Sequence, residues 1–205
     1  MKIIDCEQGS SQWFGAKCGR PSASNMSLVV TSRGEPTKGE TRKTYLCKLV
    51  AERLTHSVEM DHCSAATERG QNLEPRARRW YETMTGRAVQ QVGFITDDAG
   101  RFGCSPDGLM PDRGLEVKCP LRRQMVKTLL GGKVPTEYIV QIQFSMWLTG
   151  ARLWDFVLYT PEPEIPSVIW PVERDDRLWA AFAEHVPAFC GEIDAAVKQI
   201  NELSS

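Results

Sequence analysis

Two short segments joined by a tight turn constrain this chain more than anything else in it. They are Cys104-Ser105-Pro106-Asp107-Gly108-Leu109 and Gly114-Leu115-Glu116-Val117-Lys118-Cys119-Pro120. Pro111-Asp112-Arg113-Gly114, at their junction, is turn chemistry, so the pair predicts a β-hairpin. Side chains two apart on a strand share a face, which sets Glu116 beside Lys118 and turns Leu115 and Val117 toward a buried side. Asp107, in a Pro/Gly turn just after a short strand, is then free to approach Glu116.

Two carboxylates and one ammonium gathered at a point suit phosphodiester cleavage with magnesium. Mg2+ takes oxygen ligands, usually one or two carboxylates with waters and phosphate oxygens. Asp107 and Glu116 offer those carboxylates, and the Val117 backbone carbonyl is a third protein oxygen between Glu116 and Lys118. A metal so held polarises the scissile phosphate and acidifies its bound water, while a second metal steadies the leaving oxygen. Lys118 is placed to orient the attacking water and stabilise developing negative charge. The competing reading is a surface hairpin whose acid and lysine form a weak exposed ion pair, because an isolated D…ExK pattern arises easily.

Composition narrows the class. A length of 205 residues suits one domain spanning 1–205, and 41% hydrophobic with 25% charged residues is ordinary for a soluble globular protein. Neither a membrane span nor a signal peptide's apolar stretch is present, which predicts a cytoplasmic protein. Seven scattered cysteines without a CxxC pair predict reduced thiols, and His62-Cys63 is a weak zinc candidate. The net charge of -1 counts against a non-specific DNA coat but leaves room for local basic tracks. Such clusters occur at Lys38, Arg42 and Lys43, at Arg76, Arg78 and Arg79, and at Arg122, Arg123 and Lys127.

Taken in order, Gln12 to Lys17 reads as a helical turn with Trp13 as an anchor, and Gly19-Arg20-Pro21 breaks it. A helix follows from Ser22 through Val29, with Ser22 or Ser24 as its N-cap and its amino terminus a possible anion site. Tyr45, Leu46, Leu49, Val50 and Leu54 recur at helical spacing to about Thr55. Ala66 to Met84 is a helix with Pro75 as a kink or new first turn. Its apolar face is Trp80, Tyr81 and Met84, with Arg76, Arg78 and Arg79 turned away. Ala88 to Thr96 is a strand candidate. Leu121 to Leu130 is a helix stopped by Gly131-Gly132, and its basic residues are as readily a solvated face as a DNA contact. Pro135 opens a helix to Leu148, on which Gln141 needs a partner and Gln143 reads as a surface position. Strands at Leu153–Tyr159 and Ser167–Val172 precede a helical region from Asp175 to about Leu203, interrupted at Pro187. The order predicts an α/β fold, a mixed central sheet flanked by helices.

The words CSPDGL and GLEVKCP, with Val140-Gln141-Ile142-Gln143-Phe144-Ser145-Met146-Trp147, resemble phage lambda exonuclease and related recombination exonucleases of the PD-(D/E)xK superfamily. The resemblance extends to Glu7-Gln8-Gly9-Ser10 with Trp13 and to Gly70-Gln71-Asn72-Leu73-Glu74, in the family's order. It implies a restriction-endonuclease-like core and Mg2+-dependent 5′-to-3′ digestion of one strand of linear duplex DNA. The products would be mononucleotides and a 3′ overhang for recombination. It further implies two Mg2+ per site, replaceable by Mn2+, a homotrimeric ring around DNA, and a phage single-strand annealing protein as partner.

By the same resemblance Glu74 is an active-site acid, Gln141 holds Lys118 or the attacking water, and Lys17 with Ser24 holds the terminal 5′-phosphate. The family's arginine is lysine at position 17, which keeps the charge but loses the bidentate fork. Taken on their residues alone, Glu74 is a first-turn helix acid and Ser24 a plain cap. Two other functions stay open: a PD-(D/E)xK endonuclease of repair or restriction, and a catalytically inactive DNA-end-binding module.

Overall fold

The computed structural model describes residues 1–58 and 65–203, with the side chains of 65–67 left aside. The His62-Cys63 pair lies outside the described residues. The architecture is mixed α/β, as the element order requires. Strands β1 (Lys2–Ile4), β2 (Phe94–Thr96) and β3 (Gly103–Cys104) form an antiparallel sheet in that order. A second sheet has the order β4 (Gly108–Leu109), β5 (Gly114–Lys118), β6 (Leu153–Leu158) and β7 (Val168–Glu173). Ser105-Pro106 separates the two, and proline has no N–H with which to extend a ladder. One bridge, Gln90 to Leu109, links the second sheet back to the segment leading into β2.

The hairpin expected from the turn residues is β4–β5, antiparallel, with Gly108 opposite Leu115 and Leu109 opposite Gly114. β5 then pairs in parallel with β6, Glu116 lying beside Phe156 and Lys118 beside Leu158. Parallel neighbours need a crossover. Here it is made of α4 (Arg122–Gly131) and α5 (Thr136–Thr149), closed by Gly132 and Gly150 in the left-handed region. This crossover brings Gln141 back over the strand it left 25 residues earlier.

Both faces of β5 and β6 are covered. Leu115, Val117 and Val157 pack against Ala77 and Tyr81 of α3 (Ala65–Thr85). Phe156 and Leu158 pack with Ile142, Met146 and Met125 on the crossover helices. That explains why the first four positions of β5 are all buried, Glu116 included at 2% exposure, and only Lys118 is half-buried. A separate core joins α2 (Glu40–Thr55), α5 and α6 (Asp176–Leu203) around Phe144, Phe182 and Phe189.

Several sequence expectations shift. α6 runs unbroken past Pro187, because Val186 and Phe189 on either side are fully buried and hold both halves to the same core. The segment after Ser22 is a 3-10 helix over Ala23–Leu28, and its Ser22 cap makes no side-chain hydrogen bond. Only Phe94–Thr96 of the Ala88–Thr96 candidate pairs as a strand. Met84 is 62% exposed, so the buried face of α3 turns through Ala77, Arg78 and Tyr81 instead. Gln143 is buried rather than superficial: its amide donates to the Glu173 carbonyl at 2.6 Å and accepts from the Asp175 N–H at 2.9 Å, fastening α5 to the start of α6.

Gly114 lies directly against the ring of buried Trp154, and a Cβ there would overlap it. Gly114→Ala is therefore expected to lower stability by about 1–3 kcal/mol through overpacking, read as a lower urea midpoint with an unchanged slope.

Candidate active site

The site is built on β5, the loop before β4, and one face each of α3 and α5. Glu116 is the buried centre. Its Oε1 accepts from Lys118 Nζ at 2.6 Å and from Gln141 Nε2 at 2.6 Å. A buried carboxylate needs such partners, because desolvation disfavours the charged form. Gln141 thus finds its partner in Glu116, not in Lys118. Asp107 reaches the same strand from the preceding loop, its Oδ2 accepting from the Val117 N–H at 2.6 Å. Among the described residues Asp107 Oδ1 and Glu116 Oε2 accept no hydrogen bond.

Glu74 approaches from α3, in mid-helix rather than in a first turn. Arg78, one turn later, donates to Glu74 Oε1 at 2.5 Å and to the Asp107 carbonyl at 2.9 Å. At 8% exposure Arg78 is part of the site, contrary to the outward position expected for it. Its neighbours Arg76 and Arg79 are exposed. The i, i+4 spacing of Glu74 and Arg78 was the available signal, but only β5 and Asp107 fix which face turns inward.

Electrostatics reflect three carboxylates against two cations. Burial first, then the Glu116 and Glu74 charges, hold the Asp107 carboxyl well above its ordinary range. Burial also raises Glu74, with Arg78 opposing. Burial by itself would depress Lys118, yet Glu116 and Asp107 outweigh it and hold the ammonium above its usual value. Lys118 Nζ also lies 5.1 Å from the centre of the Tyr138 ring, which stacks on Phe156 at 5.4 Å. Lys118 is therefore a fixed cation and hydrogen-bond donor near neutral pH. A cavity of about 460 Å3 opens beside it, lined by Glu74, Asp107, Val117, Lys118, Tyr138 and Leu121 among others.

The loop carrying Asp107 is pinned from the amino terminus. Gln8 donates to the carbonyls of Val92 and Pro106, each at 3.0 Å. Trp13 Nε1, on α1 (Ser11–Lys17), donates to Ser105 Oγ at 2.7 Å. So the anchoring expected of Trp13 is real, and its target is the residue two before Asp107.

Because Asp107 binds its proton more tightly folded than unfolded, its contribution to stability is best at low pH and is lost as pH rises through the folded value. Asp107→Asn keeps an acceptor for the Val117 N–H and removes the surplus charge. In chelator-treated protein at neutral pH it is expected to raise Tm by about 2–5 °C, worth about 1 kcal/mol. A lower Tm in differential scanning fluorimetry would refute the charge-surplus account.

Residues 12–152 match the model of the YqaJ-like viral recombinase domain. The chain belongs to that family. This YqaJ-like protein is similar to the alkaline exonuclease LHK-Exo of Laribacter hongkongensis, at 35% identity and a TM-score of 0.86 over 95% of this chain and 98% of that one. The same alkaline exonuclease is also known in complex with dAMP. A phage-related exonuclease of Haemophilus somnus 129PT shares the fold at 15% identity, TM-score 0.65, over 88% of this chain and 96% of that one. ExoD of Escherichia coli K12 is 35% identical over 78 residues, 37% of this chain and 90% of ExoD. The restriction-endonuclease-like core and the kinship to recombination exonucleases, expected from the motifs, both hold.

In the YqaJ-like chain Lys17 and Ser24 do not line the cavity beside Asp107. Lys17 Nζ lies 4.1 Å from the centre of the Trp13 ring, and burial depresses its ammonium while Glu52 opposes. Ser24 is exposed, with its Oγ 3.4 Å from Ser22 Oγ. The Tyr45 hydroxyl accepts from the Ser22 N–H at 3.1 Å, and burial pushes its phenol up to about 12. Glu52, 4% exposed, also accepts from the Gly19 N–H at 2.8 Å. No periodicity in the sequence marks that acid.

Among the described residues no three His, Cys, Asp or Glu side chains stand close enough to hold a metal ion by themselves. Among the described residues the six cysteines, Cys6, Cys18, Cys47, Cys104, Cys119 and Cys190, are free thiols. No helix among the described residues is long and apolar enough to cross a membrane.

Proposed function

We propose that this YqaJ-like protein is a magnesium-dependent 5′-to-3′ exonuclease. It digests one strand of linear double-stranded DNA to 5′-mononucleotides and leaves 3′ overhangs for recombination by strand annealing. The observation that carries the reading is the pair of unclaimed oxygens, Asp107 Oδ1 and Glu116 Oε2, beside the fixed Lys118 ammonium. Two carboxylates and the Val117 carbonyl fit a hard cation that keeps waters and phosphate oxygens as its remaining ligands. Burial raises Asp107 most, and the Glu116 and Glu74 charges that add to it are what a divalent ion would neutralise. Of the two ways Glu74 could serve the ion, directly or through water, the spacing of the three acids favours the water-mediated one.

When bound, Mg2+ supplies Lewis acidity toward the phosphate and a water acidified for attack. The protein's own groups do the positioning. Gln141 and Lys118 fix Glu116, and the Val117 N–H fixes Asp107. Lys118, charged throughout, donates to the water or to a phosphate oxygen as negative charge develops there. Lys17 and Ser24 would take the terminal 5′-phosphate. LHK-Exo has been crystallised with dAMP, a nucleoside monophosphate of the kind such digestion releases. Direction, the homotrimeric ring, the annealing partner and action in the bacterial cytoplasm are part of this proposal, and their support is the resemblance to lambda-type exonucleases.

The test is an end-labelled linear duplex, 5′-phosphorylated or 5′-hydroxyl, with Mg2+ or with chelator. Release of mononucleotides from the phosphorylated 5′ end, abolished by chelator, is the expected result. Cutting of covalently closed circular duplex would favour the endonuclease reading instead.

A further inference from the structure

Next to the proposed catalytic cavity lies a second one of about 450 Å3, lined by Arg69, Leu121, Arg122, Arg123 and Glu162. Leu121, 54% exposed, lines both, so the two cavities share that side chain in their walls. Three guanidinium groups here face one carboxylate. Glu162 takes Arg122 Nε at 3.0 Å and Arg69 Nη2 at 3.4 Å, and that is all the acid the pocket holds. Arg123 is exposed and forms no ion pair among the described residues. Arg69 Nε is buried without a hydrogen-bond partner among them. α4 begins at this pocket with no acid in its first turn and no side-chain cap, so its amino-terminal N–H groups add to the positive field.

One buried donor without a partner, Arg69 Nε, beside the two solvent-accessible guanidinium forks of Arg122 and Arg123, is an excess of donors over acceptors that a phosphate group satisfies. We infer that the Arg69–Arg122–Arg123 pocket is a second phosphate subsite, gripping a backbone phosphodiester of the DNA strand on the far side of Leu121 from Asp107, with Glu162 occupying the phosphate's place in its absence. The inference rests on the nuclease reading. Its consequence is that DNA is registered by its backbone next to the bond being cut, without reading sequence.

Metal-free equilibrium binding of a linear duplex to the full-length protein tests it without requiring cleavage. Replacing single phosphodiesters near the 5′ end by neutral methylphosphonates should expose one linkage at which wild-type affinity falls about five- to tenfold. Arg123→Ala, an exposed residue with no ion pair to lose, should weaken ordinary DNA by a similar factor, reduce the salt slope by about 1, and be indifferent to the neutral linkage at that position. Glu162→Gln should tighten binding, since it removes the competitor. The proposal is overturned if Arg123→Ala remains fully sensitive to that linkage, or if no linkage is special. It is equally overturned if Glu162→Gln weakens binding as Arg123→Ala does, which would make the ion pairs merely structural. Competition by free dAMP that disappears in Arg123→Ala, with the linkage scan flat, would assign the pocket to released nucleotide and also overturn it. Failure of the nuclease reading is separately visible, as intact DNA after Mg2+ is added to the same complexes.

Discussion

Lys118→Ala is expected to reduce strand cleavage about a thousandfold while DNA-end affinity changes by no more than a few-fold. The size follows from removing a preorganised donor at developing charge, which alone costs about 10²–10³ in rate, together with loss of water orientation. The ammonium is 2.6 Å from Glu116 and is held charged by Glu116 and Asp107, so no other cation inherits its place. Arg78, the other buried cation of the site, is committed to Glu74 and the Asp107 carbonyl. Since the substitution leaves Glu116 with Gln141 alone, thermal unfolding is measured alongside, to separate lost chemistry from lost folding. Cleavage by Lys118→Ala at the wild-type rate would end the catalytic assignment. Unchanged end-binding with no cleavage by either protein would support an inactive end-binding module.

Asp155→Ala is expected to be the most damaging single change to the fold. Asp155, 3% exposed on β6, accepts from the Tyr81 hydroxyl at 2.5 Å and pairs with Arg113 at 3.2 Å. These bonds tie α3, the β4–β5 turn and β6 together around Leu115, the residue opposite Asp155. Removing the acid leaves the largely buried Arg113 guanidinium with only the half-exposed Asp112 carboxylate, and takes the carboxylate acceptor from the buried Tyr81 phenol. Breaking one side of such a pair costs about 3–5 kcal/mol. For a chain of this size that lowers Tm by about 10 °C or more. Asp155→Asn, which still accepts from Tyr81, should lose distinctly less. A Tm change under about 2 °C for Asp155→Ala would show the network to be dispensable. Because α3 carries Glu74 and β5 carries Glu116, partial activity loss should accompany the destabilisation and be recovered on cooling.

What could be read in advance was local. Turn residues and period-two alternation located the β4–β5 hairpin and put Glu116 beside Lys118, because strand geometry allows nothing else once the register is set. Helical spacing found the stripe of α6 and the segment of α5, though Pro187 looked like a break until two buried halves were seen to share one core. Motif words added the kinship and with it Glu74 and Gln141 as members of the site.

The amino-acid sequence by itself determined the chemical inventory of this protein: two acids and a lysine at hairpin spacing, an amphipathic α/β order, and no surplus charge to act as a DNA coat. Only the tertiary structure decided the partnerships. That Gln141 bonds Glu116, that Arg78 turns inward and Gln143 is sealed against Glu173, and that Asp155 binds Tyr81 and Arg113, are contacts between residues far apart in the chain. Local periodicity carries no record of which distant group will meet a polar side chain. Burial makes that meeting obligatory, because an unpaired polar group in the interior costs more than folding leaves to spare.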